Sequence, residues 1–196
     1  MLSLSRYKVN KSERGQSFVE LSLVVIFLMI FIAGIVEFGF MLNNYLNLVD
    51  ASREAVRYSS DFDPFLPDGS LDNRSFEDTF QLTLEVLDPV TLDAAKGDDV
   101  VISFFSVGNG VYVRYPDDNG WAANKLQVSK FTNAEIQSRL DSSAPPTGVL
   151  LVEIFYYYPQ VLKLPIFTMF VQDPMPVYVY SIMPLSAAEP APTPIP

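Results

Sequence analysis

The feature that most limits how this chain can fold is the 22-residue stretch from Leu21 to Leu42, apolar except for Ser22, two glycines and a single charge at Glu37. As a helix rising 1.5 Å per residue it would be ~33 Å long, enough to cross a hydrocarbon core of ~30 Å. Ahead of it, residues 1–15 are polar and basic, with Arg6, Lys8, Lys11 and Arg14 against Glu13. That local +3 leaves −13 on the remainder of a chain whose net charge is −10. Cations flanking an apolar span predict that the N-terminus stays in the cytoplasm, with a single pass of the membrane and the acidic bulk outside. An acidic exported part would repel nucleic acid. A secretory signal peptide would show a shorter apolar core followed by small residues. Asn43-Asn44-Tyr45 follows instead, so the span is expected to remain in the working protein.

Glu20 stands at the head of this span, five residues past Gly15. An acid at mid-bilayer costs on the order of 2.5–3.5 kcal/mol on insertion scales, so an intramembrane acid points to a function and to a partner. Complementing the helix dipole would account for up to ~1 kcal/mol, but it gives no reason for a glycine five positions earlier. Glu37 lies 17 residues beyond Glu20, ~25 Å along a helix axis. It is either an interfacial acid reaching toward headgroups or a lateral contact for a basic side chain of a neighbouring subunit.

Three segments carry a resemblance. Arg14-Gly15-Gln16-Ser17-Phe18-Val19-Glu20-Leu21 is similar to the prepilin peptidase site of type IV pilins. With Gly34-Ile35-Val36-Glu37-Phe38-Gly39 and Ala51-Ser52-Arg53-Glu54-Ala55-Val56-Arg57-Tyr58, it resembles the TadE-like family, the pilin-like proteins of the tight-adherence (Flp) pilus. The resemblance covers about residues 14–60, with a looser likeness over Gly148 to Leu185. It implies a long spine helix under a small antiparallel sheet, an α+β fold. It also implies cleavage between Gly15 and Gln16 by a prepilin peptidase. The new α-amino group would lie one helical turn from Glu20, offering that carboxylate a positive partner in its own chain or a neighbour. The implied partners are the peptidase, other pilin-like subunits, the pilus assembly machinery and membrane lipid.

Composition narrows the alternatives. A chain of 196 residues has room for one domain and an anchor. It holds no cysteine, hence no disulfide framework and no thiolate nucleophile or metal site. It also holds no histidine, which removes the usual general base and the commonest metal ligand. No enzyme, cofactor or metal site is expected. Asp61, Asp63, Asp68 and Asp72 share one loop, but an EF-hand needs an acid at the fifth place and glycine at the sixth. Phe65 and Leu66 stand there.

The chain divides into a leader at 1–15, a transmembrane and spine helix at 16–59, an extracytoplasmic head at 60–185 and a Pro-rich tail at 186–196. Beyond the span, Tyr45, Leu48, Val49, Ser52, Val56 and Ser59 recur at helical spacing and predict a buried stripe. Asn44, Asn47, Asp50, Arg53, Glu54 and Arg57 fall on the opposite face. Pro64, Pro67 and Gly69 break the helix. Phe76, Phe80, Leu84 and Leu87 predict a second helix over 76–87, opened by a Ser75–Asp78 capping box. Val100–Val107 and Val111–Tyr115 flank Gly108-Asn109-Gly110 as a hairpin. Thr132 to Glu135 is a capping box for a short helix ending near Leu140. Val149–Tyr157 reads as a central strand and Pro176–Met183 as the last, with Val177, Val179 and Ser181 on one face and Tyr178, Tyr180 and Ile182 on the other. The aromatic run Phe155 to Tyr158 is expected to pack rather than adhere.

Two functions fit. One is a structural subunit, a minor pilin or pseudopilin of a tight-adherence-type (type IVc) pilus. The other is a signal-anchored extracytoplasmic binding domain that never polymerises.

Overall fold

The computed structural model describes residues 11–66, 70–108, 111–139 and 148–185. The expectations for residues 1–10, Pro67, Asp68 and Gly69, the turn at Asn109-Gly110, Leu140 and the tail lie outside that set. Helix α1 spans Lys11–Ser59, ~73 Å at 1.5 Å per residue. It starts upstream of position 16, because Lys11 to Gly15 offers no proline to stop a helix already nucleated downstream. Gly15 weakens it by ~1 kcal/mol without breaking it. Ser22 is tolerated in the apolar stretch because its hydroxyl donates to the Phe18 carbonyl at 2.8 Å. At the far end Ser60 N donates to Val56 O at 2.9 Å, and Pro64 rules out continuation.

Helix α2, Arg74–Leu87, begins two residues earlier than the periodicity indicated. Ser75 therefore lies inside the first turn, and the expected Ser75–Asp78 box is replaced by Asp72, whose Oδ1 accepts from Arg74 N at 3.0 Å. The buried stripe is Phe76, Thr79, Thr83 and Leu87. Thr83 fits there because its hydroxyl is satisfied by Thr79 O at 2.7 Å. Phe80 and Leu84 flank the stripe as half-buried residues.

Five antiparallel strands follow: β1 Asp99–Gly108, β2 Val111–Tyr115, β3 Trp121–Ala122, β4 Val149–Tyr158 and β5 Met175–Pro184. Their order is β2-β1-β4-β5, with the two-residue β3 also pairing with β1. The pairs Ile102↔Val152 and Ile154↔Val179 fix the register. β4 is central, as its apolar run predicted, and β3 is the strand beyond the four expected. Helix α1 packs across β4 and β5, and α2 packs on α1 and β1.

The sheet is covered on both faces. On the α1 side, Leu48, Ala51, Val56, Phe76 and Leu87 meet Val100, Ile102, Phe104, Leu150, Val152, Ile154 and Val179. Ser52 reaches the sheet directly, its hydroxyl 2.9 Å from that of Ser181. Tyr45, placed in the stripe by its spacing, is instead exposed, and Ala51 and Ala55 complete the contact. On the other face Phe105, Val149 and Leu151 pack under Phe131 and Ile136. Ile136 belongs to helix α3, Asn133–Arg139. Its capping box forms as expected: Thr132 N donates to Glu135 Oε2 at 2.8 Å and Glu135 N donates to Thr132 Oγ1 at 3.3 Å. Val177 and Val179 face α1, while Tyr178 and Ile182 face the α3 side, as alternation along β5 predicted.

Two buried acids hold the α3 layer in place. Asp99 accepts from the N–H groups of Val100, Asn124, Leu126 and Gln127 at 2.8–3.0 Å. Glu153, fully buried in β4, accepts from Lys130 N at 2.9 Å, Tyr178 Oη at 2.7 Å and the Ser129 hydroxyl. Burial with a hydrogen bond to Glu153 holds the Tyr178 phenol above the usual tyrosine range.

Candidate assembly site along the N-terminal helix

Three stretches of α1 differ in what surrounds them. From Gly15 to Leu42 almost every large apolar side chain is exposed: Phe18 is 72 % accessible, Phe27 70 % and Phe31 67 %. A helix apolar on all sides and exposed over most of its surface has no place in water. The helix has the length and composition to cross a membrane, in keeping with a membrane anchor.

At its start, the peptide between Gly15 and Gln16 is helical and exposed. A Cβ added at Gly15 would meet nothing within 4 Å, so nothing in the packing of this helix requires glycine there. Glu20 is also exposed and accepts from Gln16 Nε2 at 3.0 Å. That contact is neutral, and among the described residues no cation pairs with Glu20. Gly15, Gln16 and Glu20 therefore lie together within two turns of one helix.

The middle stretch was only partly legible. Glu37 is engaged by its own head: Oε1 accepts from Tyr158 Oη at 3.0 Å and from Val161 N at 2.8 Å, and Oε2 accepts from Leu162 N at 2.8 Å. Two backbone amides and a phenol arranged around a carboxylate are what a charge needs to leave water. Burial and the Glu37 carboxylate push the Tyr158 phenol well above its ordinary range. The donors come from the end of β4 and the chain after it, 121–125 residues away in sequence. One turn before Glu37, Gly34 admits the Phe167 ring: a Cβ at that position would lie 3.2 Å from Phe167 Cζ. Phe167 belongs to a single helical turn, α4, Pro165–Thr168. The signal was present, since an acid inside an apolar run demands donors, but composition does not say which donors.

In the last stretch, Leu48, Ala51, Ser52, Ala55 and Val56 are buried against sheet and α2. Arg57 on the outer face pairs with Glu54 at 2.5 Å. In the loop that follows, Asp63 and Asp72 accept from backbone N–H groups two residues on. No group of three metal-ligating side chains occurs among the described residues.

No curated protein and no solved structure matches this chain. The sequence model of one family does: the TadE-like protein family matches residues 15–57, from the glycine at the head of the span to the outer face of the docked helix, so the resemblance read from those residues is borne out and this segment is TadE-like.

Proposed function

We propose that this chain is a structural subunit, a minor pilin or pseudopilin of a tight-adherence-type pilus, anchored in the inner membrane and processed by a prepilin peptidase after Gly15. The observation that carries this is an acid, Glu20, exposed and without a cationic partner among the described residues, at the head of an exposed apolar helix that matches a pilin-like family over residues 15–57. Removal of residues 1–15 gives Gln16 a free amine one turn from Glu20. In an assembly, that amine on a neighbouring copy completes an ion pair inside the apolar bundle. The exposed apolar faces then pack on those of other pilin-like subunits and on the assembly machinery, while the acidic head projects outward. No step in this role calls for catalysis.

Glu20→Ala tests it. Breaking one side of a buried pair costs roughly 3–5 kcal/mol. The variant should be cleaved and inserted as the wild type is, yet be depleted from purified filaments or assembly complexes relative to total membrane. Wild-type incorporation would show that Glu20 only complements the helix dipole, and the anchored, non-polymerising head would become the better reading.

A further inference from the structure

The chain between β4 and β5 makes an apolar excursion along α1. Of the residues from Val161 to Gln172, eight are Val, Leu, Ile, Met or Phe, and only Lys163 is charged. Inside a soluble head such residues would be covered. Here Phe170 is 83 % exposed, Met169 79 % and Val161 54 %.

Its position is fixed by two contacts. Val161 and Leu162 donate to Glu37, and Phe167 fills the notch at Gly34. Gly34 lies eight residues before Leu42, so Phe167 sits ~12 Å inside the outer end of the apolar run. The excursion is thus level with the outer part of the span. An apolar cavity of about 180 Å³ between it and α1 runs beside Phe38, Met41 and Val171.

A second observation is independent of side-chain composition. Lipid tolerates backbone only where its polar groups are satisfied internally. The N–H groups of Val161 and Leu162 go to Glu37. Those of Phe167 and Thr168 go to Leu164 O, that of Met169 to Pro165 O, and those of Phe170 and Val171 to Phe167 O. Pro165 has none to place, and only those of Lys163, Leu164 and Ile166, in the leading part of the loop, find no partner among the described residues. Gln160 closes the base, its N donating to Asp173 Oδ1 at 3.1 Å and its Nε2 to Val171 O at 3.2 Å.

We infer that residues 161–171 form a lipid-inserting loop: a second, monotopic contact in which Ile166, Met169 and Phe170 enter the outer leaflet of the membrane that α1 crosses. Lys163 is the one charge of the loop; its four-carbon stem lets the ammonium snorkel toward the headgroups and their phosphates. The loop and the Glu37 carboxylate together set how deep the head rides and how it is turned about the α1 axis. This inference rests on α1 being a membrane anchor.

The absence of cysteine in the native chain makes single-site labelling direct. Full-length Phe170→Cys, Met169→Cys, Leu28→Cys and Gln81→Cys variants are labelled with an environment-sensitive fluorophore. They are then reconstituted in phosphatidylethanolamine–phosphatidylglycerol vesicles carrying acyl-chain nitroxide lipid. Labels at 169 and 170 should be quenched by the nitroxide at least half as strongly as the label at 28. They should be at least fivefold less sensitive to aqueous iodide than the label at 81. If iodide reaches 169 and 170 as readily as 81 while 28 is lipid-quenched, the loop proposal fails and the anchor stands. If 28 is not lipid-quenched, both fail. Protection at 170 that disappears when protein is diluted into excess lipid would assign the surface to a second copy and overturn the lipid assignment.

Discussion

Glu37→Ala is the substitution that separates the junction between helix and head from the rest of the fold. It removes the acceptor of three hydrogen bonds, from Tyr158 Oη, Val161 N and Leu162 N. Tyr158 is buried, and a hydrogen bond to a charged acceptor is worth ~1.5–3 kcal/mol. Val161 and Leu162 are more than a third exposed, but they lie level with the outer part of the span, where lipid offers no replacement acceptor, so each amide contributes ~0.5–1.5 kcal/mol. The junction should weaken by about 2.5–6 kcal/mol, a factor of ~70 to more than ~10,000 in the local opening equilibrium. Hydrogen–deuterium exchange of the full chain in detergent or nanodiscs reads this directly. Amides from Val161 to Val171 should lose protection by that factor, whereas those of the central β1–β4 pair Ile102 and Val152 should be unchanged. Glu37→Gln, which keeps one acceptor oxygen, should fall between. Unchanged exchange over 161–171 in Glu37→Ala would refute the idea that this carboxylate ties the head to the helix.

Two further outcomes follow from the packing and the buried acids. Val56 is fully buried between α1 and the sheet, so Val56→Asp should cost several kcal/mol, a large part of the ~5–15 kcal/mol typical of a domain, while Arg53→Ala on the exposed face should change stability by under about 0.5 kcal/mol. Fluorescence of Trp121, stacked on Phe76 at 5.7 Å, reports both melts, and equal small effects would mean that the helix after Leu42 stands free of the head. The Tyr178 phenol, raised above its ordinary value of 10.0 by burial and by Glu153, ionises more readily unfolded than folded. Its contribution to stability is therefore fully present below pH 10.0 and lost as pH rises toward the folded value. Tyr178→Phe should flatten the alkaline fall in stability, and an unchanged slope would contradict that sign.

Much of the fold was legible because its signals are local. The Leu21–Leu42 run, the Thr132–Glu135 box and the period-two alternation of Val177 to Ile182 each fix a helix or strand without reference to the rest of the chain. The α1 stripe was read correctly at Leu48, Ser52 and Val56, and missed at Ala51 and Ala55, because small side chains carry little hydrophobic signal yet set how closely a helix approaches a sheet. The Ser75–Asp78 box failed because the same letters fit one turn inside a helix as well as at its cap. The partners of Glu37 and the roles of Asp99 and Glu153 were not legible. Each joins residues more than twenty positions apart, and Glu153, inside the most apolar strand, looked like an interruption rather than an anchor point. Of the candidate assembly residues, Gly15 and Glu20 stood out because their spacing falls between a basic leader and a long apolar run, whereas the excursion after β4 carried no such context, since its exposure becomes visible only once the fold covers everything else.

The N-terminus of the protein extracted from its native membrane decides between a processed subunit and a simple anchored domain. Edman sequencing with intact mass should show a chain beginning at Gln16, lighter by residues 1–15, and a Gly15→Val variant should retain them. A wild-type protein that begins at Met1 in cells with a competent prepilin peptidase would contradict the processed, pilin-like reading.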